Sequence, residues 1–230
     1  MKLSMIGTLF NIFTVILGGF IGILFKGKLP KNKDYVVLDS IGLFTLGLGV
    51  IMCMSIRDPI AIVFGLLIGN IIGNLFNLEN RLNILAEKLR ARIGSEESFV
   101  KGMVTAFITF CVGPMTVIGS INDGLGDPSI LITKSIMDGF VAMAYSTAMG
   151  IGVIFSTAPM LVYQGSITLM AGSIRPFLTE SILGDLSGTG GVLMLGLGLS
   201  LLKIKDVKVI NMLPSLIITP LISALITYLL

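Results

Sequence analysis

Apolar runs near the ~20 residues needed to cross a hydrocarbon core recur along the chain, each closed by a short polar or charged stretch. They predict spans near 4–26, 36–56, 59–78, 99–121, 130–155, 158–175, 183–202 and 209–230. The fold class expected is therefore an all-α membrane protein of about eight transmembrane helices, a single transmembrane domain over 1–230. The stretch 79–99 breaks the rhythm, because Leu82, Leu85, Leu89 and Ile93 recur at three- and four-residue spacing. That spacing predicts an amphipathic helix on the membrane surface, its basic residues facing headgroups. The opening run is too long for a signal-peptide core and no A-x-A-like site follows it, so it is expected to remain as the first span.

Composition strengthens this picture. The chain is 54% hydrophobic and 13% charged, against roughly 45–50% and 25% in an average soluble domain, and a soluble fold of this size cannot hide so much apolar surface. No polar stretch is long enough for a separate soluble domain. A net charge of +3 gives no ground for nucleic-acid binding; the basic residues report topology instead. Lys26, Lys28, Lys31 and Lys33 fall in the first loop, Arg81, Lys88, Arg90, Arg92 and Lys101 in the third, and Lys203, Lys205 and Lys208 in the seventh. Lys2, Arg57, Lys134 and Arg175 remain for the other side. By the positive-inside rule the odd loops are cytoplasmic and both termini lie outside. Cys53 and Cys111 both fall inside spans and the chain has no histidine, so the usual zinc spacings cannot be built; both thiols read as small buried apolar groups.

An internal repeat changes the reading of the architecture. GLFTLGLGVI over 42–51 is echoed by GVLMLGLGLSL over 191–201, aligning Gly47 and Gly49 with Gly196 and Gly198. A further shift of about four residues sets Asn11 and Gly19 opposite Gln164 and Gly172. Repeat A would cover about 4–78 and repeat B about 158–230, with a central pair at 99–155. Each span returns five spans later, and an odd step reverses direction, which is the inverted-repeat plan common in secondary transporters. Chance similarity between Leu- and Gly-rich spans is the competing explanation. Gly65, Gly69 and Gly73, like Gly18, Gly19 and Gly22, read as ridges for close helix packing.

The central segment 110–140 carries the candidate chemistry. Gly113 and Pro114 interrupt the fourth span, because proline removes a backbone donor and frees carbonyls near Phe110 inside the membrane. Asn122, Asp123, Gly124, Gly126 and Asp127 form a turn cluster, with Asp127 as N-cap and Pro128 at the first position of the next helix. Asp138 lies eleven residues on, roughly 16 Å by helical rise, at a depth where a carboxylate persists only with a partner or a polar cavity. Lys134, four residues earlier on the same face, is the candidate partner, and mutual neutralisation near the interface is the plainer alternative. Thr105, Thr109, Thr116 and Ser120 from span four, with Ser146 and Thr147 from span five, suggest a hydrated site.

The string GPMTVIGSINDGLGDPSILITKSIMDG over 113–139, GTGG over 188–191 and the opening GTLFNIFTVILGGFIG resemble the bacterial YqgA-like and YdfK-like integral membrane proteins, a family defined by a domain of unknown function (DUF554). The resemblance covers essentially the whole chain. It implies a protein of the cell inner membrane, in a family associated with transport, and carries over no residue role.

The leading expectation is a secondary transporter or channel-like carrier of a small polar solute or ion, coupled to a cation or proton. Its site would use Asp138 and Asp123 as cation or proton ligands, with Lys134 beside Asp138. Asn122, Asn11 and Gln164 would serve as neutral hydrogen-bond partners, carbonyls freed at Gly113 and Pro114 as further oxygens, and Thr116 and Ser120 as flanking hydroxyls. Hard oxygen donors favour an alkali ion, a proton or a small polar molecule over a soft metal. No cofactor is expected, and the absence of a G-x-x-x-x-G-K-[ST] string argues against ATP-driven pumping by this chain alone. The expected partners are the lipid bilayer and the solute; self-association into a homo-oligomer stays compatible with the sequence. A non-transporting scaffold or sensor, with 79–99 as its partner surface, is the alternative from another class. An intramembrane aspartyl protease is a third, since Gly124-Leu125-Gly126-Asp127 spells G-x-G-D and Asp138 could complete a carboxylate pair.

Overall fold

The computed structural model describes residues 5–26, 34–81, 84, 99–111 and 113–229. Nearly all of the anticipated surface helix at 79–99, and Lys28, Lys31, Lys33, Lys88, Arg90 and Arg92 of the basic loops, lie outside the described residues. The described chain is helical, without a strand: α1 (Ile6–Lys26), α2 (Asp34–Cys53), α3 (Pro59–Leu75), α4 (Phe99–Cys111), α5 (Pro114–Gly124), α6 (Ser129–Met149), α7 (Gly152–Phe155), α8 (Thr157–Leu169), α9 (Ala171–Ile174), α10 (Glu180–Leu201), α11 (Val209–Met212) and α12 (Ser215–Leu229). A 3-10 turn at Arg175–Phe177 follows α9.

By length and composition three segments suit a membrane crossing, Ile6–Phe25, Glu180–Leu201 and Val209–Tyr228. Two bent pairs, α4 with α5 and α7–α8 with α9 and its 3-10 turn, each turn by 67° and raise the number to five if each pair is one span. The chain forms two compact units, each drawing on both halves of the sequence: Met1–Val37 with Gly94–Phe177, and Leu38–Ile93 with Leu178–Leu230.

In the first unit α1 is built inside out. Leu9, Phe13, Leu17, Phe20 and Leu24 point outward, while Gly7, Thr8, Asn11, Val15, Gly18 and Gly22 are buried. A helix that exposes its large apolar side chains and buries its small and polar ones has hydrocarbon, not water, as its solvent. The inward stripe admits α6 at backbone contact: a side chain at Gly18 would strike the Gly139 carbonyl, and one at Gly22 the Met143 carbonyl. Helix α6 follows the same plan, burying Leu131, Lys134, Ser135, Asp138, Ala142 and Tyr145 while exposing Ile136, Met137 and Phe140. Its start falls one residue later than the sequence suggests. Pro128 takes the cap position and Asp127 Oδ1 accepts from the Ser129 N–H at 3.1 Å, so the carboxylate still serves an N-terminal amide.

In the second unit α10 is almost wholly buried, and α2 lies antiparallel against it, with Gly42 beside Leu202, Gly49 beside Gly191 and Ser55 beside Gly184. Helices α3 and α12 pair likewise, Gly65 meeting Thr219 and Gly69 meeting Ser215. The α3 ridge of small residues thus packs as its spacing suggests. Asp58 caps α3, accepting from the Ile60 and Ala61 amides at 2.9 and 3.3 Å, with Pro59 supplying a first position that needs no donor.

Candidate functional site

The break between α4 and α5 sets the site in the first unit. Gly113 is extended (φ −161°, ψ 151°) and caps α5 ahead of Pro114, so the carbonyls at the end of α4 lose their helical donors. Phe110 O regains two donors from elsewhere, the Thr116 hydroxyl at 2.8 Å and the Lys134 ammonium at 2.9 Å. Lys134 also pairs with Asp138 one turn along α6. The ammonium therefore bridges a freed backbone carbonyl and a carboxylate.

Neutral groups from α1 and α8 adjoin this pair. The Asn11 side chain lies next to Asp138, and its Nδ2 donates to Gln164 Oε1 across 3.4 Å. Asn11 Oδ1, Gln164 Nε2 and Ser120 Oγ are buried with no hydrogen-bond partner among the described residues, as are Thr105 Oγ1 and Ser146 Oγ. Orphaned buried polar atoms each cost about 1–3 kcal/mol and are uncommon in native structures, so the unmet amide atoms of Asn11 and Gln164 beside the ion pair point to an occupant that would satisfy them.

One turn back along α1 and one turn on along α8 lies a second polar layer. Asp123 accepts from the Gly7 N–H at 3.0 Å, the Thr8 N–H at 2.9 Å and the Thr8 hydroxyl at 3.0 Å. Thr8 spends its proton on Asp123, so the 3.0 Å contact with Thr168 is donated by Thr168. A carboxylate on the first amides of α1 is favoured by their partial positive charge, and both oxygens are engaged by the protein itself.

The sequence-predicted residues thus divide. Asp138, Lys134, Asn11 and Gln164 come together, with Thr116 on the shared carbonyl, Ser120 one turn further along α5, and Gly113 and Pro114 making the break. Asp123 is turned to the start of α1, and Asn122 is half-buried at the end of α5, where its carbonyl closes the turn by accepting from the Leu125 and Asp127 amides. Thr109 and Thr147 donate to the Thr105 and Met143 carbonyls of their own helices. The cluster is packed shut rather than open to water: Asp138 is 6% exposed and Lys134 9%, while Asn11, Gln164 and Ser120 are fully buried. A groove between α1 and α6 that includes Leu17, Gly18, Ile136 and Phe140 is lined almost wholly by apolar surface, so it offers nothing to a polar solute.

The two carboxylates of the G-x-G-D reading are held apart. Asp127 is exposed, its carboxyl held below the usual range by the Ser129 hydroxyl and amide, whereas Asp138 is buried eleven residues along, roughly 16 Å by helical rise.

Sequence reasoning passed over Asp185 on α10. It is fully buried in the second unit, where Oδ1 accepts from the Arg57 and Asp58 amides at 2.9 and 2.8 Å and Oδ2 from the Ser223 hydroxyl at 2.6 Å. The predicted span 183–202 puts Asp185 only two residues from its end, where an acid is ordinary, and its partners lie far away along the chain.

Outward apolar faces, buried glycine stripes, a broken helix and ionisable side chains turned inward define an all-helical membrane protein with a polar cluster inside it. Residues 6–224 match the family described as "Protein of unknown function (DUF554)", and the chain belongs to that family. It is 34% identical over 226 residues to "Uncharacterized protein YqgA" of Escherichia coli (strain K12), covering 95% of this chain and 96% of that one. It is 31% identical over 223 residues to "Uncharacterized membrane protein YdfK" of Bacillus subtilis (strain 168), covering 95% of each. No solved structure matches the chain.

Proposed function

We propose that this protein is a secondary carrier of a small polar solute or ion in the cell inner membrane, coupled to a cation or proton, with eight spans in an inverted repeat and both termini outside. The observation that carries the reading is the bridge from Asp138 through the Lys134 ammonium to the freed Phe110 carbonyl, with orphaned amide atoms of Asn11 and Gln164 alongside. Broken helices that offer backbone oxygens at mid-membrane are a recurrent way to bind cargo, and a closed, charge-neutral cluster suits the occluded stage of such a cycle.

The test is a thermal-shift screen of the detergent-solubilised protein against alkali and divalent cations and small polar metabolites at several pH values, run beside Asp138→Asn. A ligand that raises the wild-type midpoint and leaves a folded Asp138→Asn unchanged is the expected result, because binding to the native state alone raises apparent stability. If nothing in the panel shifts either protein, the carrier reading gives way to a membrane scaffold or sensor, and partner capture follows.

A further inference from the structure

The Lys134 ammonium is itself a monovalent cation held by oxygens, and the groups around it are those that would hold another. Asp138 Oδ2 and Phe110 O face it directly, and the Thr116 hydroxyl sits 2.8 Å from the same carbonyl. Asn11 Oδ1, on the side chain next to Asp138, is a buried acceptor that no described residue satisfies. All are hard oxygen donors from carboxylate, carbonyl, amide and hydroxyl groups, the set that suits alkali-type cations. One carboxylate balances one positive charge, and among the described residues no group of three or more His, Cys, Asp or Glu gathers to hold an ion of higher charge.

Lys134 is placed to leave. It lies five residues inside α6, roughly 7.5 Å from the helix start by rise, on a flexible four-carbon stem that can carry its charge towards the nearer end. A second cation arriving while Lys134 stayed would set two positive charges against one carboxylate in a dry interior, where such repulsion is large. We propose that Lys134 is a resident cation, seated where an exchangeable monovalent cation of ammonium-like size binds, so that loading of that cation and seating of Lys134 exclude one another. The inference rests on the carrier reading for its meaning, and it makes each loading event an exchange of one positive charge for another.

The test reads cation binding directly, so that it fails separately from transport. Lys134→Met, verified as folded by gel filtration, is titrated with sodium, potassium, ammonium and methylammonium chlorides against N-methylglucamine chloride at equal ionic strength. A tenfold excess of the preferred cation over its dissociation constant should raise the melting midpoint by roughly 4 °C, and the wild type should need far more salt for the same shift. The arms separate an alkali ion from an amine. The response should vanish in Lys134→Met combined with Asp138→Asn. Equal responses in wild type and Lys134→Met, none in Lys134→Met, or one that survives in the double variant each overturn the proposal. Should Lys134→Met not fold, amine-reactive labelling of the wild type followed by mass spectrometry decides: Lys134 modification should rise at saturating cation, and modification that is the same in every salt overturns the idea. A solute taken up with no cation response at this seat would leave the carrier reading standing and remove the exchange.

Discussion

Asp138 and Asp185 are both buried carboxylates inside apolar helices, one in each unit, and they differ in who donates to them. Asp185 is held by two backbone amides and a serine hydroxyl, donors on short tethers that cannot withdraw without moving the chain between α2 and α3. Asp138 is held by the end of a long lysine side chain, and its neighbours carry unmet hydrogen-bonding capacity. The first arrangement is a fastening and the second can be undone. A buried acid in a membrane helix is therefore not sufficient to mark a site; the mobility of its donors and the satisfaction of its surroundings distinguish the two.

The contrast can be broken most forcefully at the fastening. Asp185→Ala strands two amides and a hydroxyl, and should cost about 3 kcal/mol or more, seen as a fall in melting midpoint or loss of folded protein on extraction. A midpoint within a degree of wild type would mean that water or another group replaces the carboxylate readily. Ser223→Ala removes one donor to the same acid and should cost about 1.5–3 kcal/mol in the same measurement, because the hydrogen bond is to a charged group. Replacing both partners of the other pair, Lys134→Met with Asp138→Leu, should leave the unfolding free energy within about 1–2 kcal/mol of wild type or raise it, while ligand-dependent stabilisation disappears. A large loss of stability in that double variant would make the pair a structural element like Asp185. The smallest effect is expected at Asp127→Asn, since this exposed group lies outside the cluster; ligand response should persist and the midpoint should barely move. Because its carboxyl is held below the usual range, the stability it adds is present above the ordinary carboxylate range and fades as pH falls through its lowered value.

The parts of this site that were legible in the sequence are local. Lys134 and Asp138 stand at helical i, i+4 spacing, and Gly113 with Pro114 announces the break, so the pair and its nearby freed carbonyl follow from short-range rules. Asn11 and Gln164 were singled out by aligning the repeats, and the structure sets them side by side, a contact that spacing alone does not foretell. What escaped depends on long range. Asp185 meets amides 127 and 128 residues away, and Asp123 meets amides 115 and 116 residues away; a carboxylate that caps a distant chain start has no local signature. Helical character was legible from the apolar runs, whereas the 67° bends, which decide how many crossings those runs make, depend on packing.

The grip of Asp123 on the start of α1 carries a consequence for the order in which the protein is made. The first helix leaves the ribosome with the amides of Gly7 and Thr8 unclaimed, and the carboxylate that claims them is encoded about 115 residues later. At roughly 5–20 residues per second of synthesis, the start of α1 waits some 6–23 s for this partner. The fastening that closes the start of α1 therefore cannot form until the broken helix has been made.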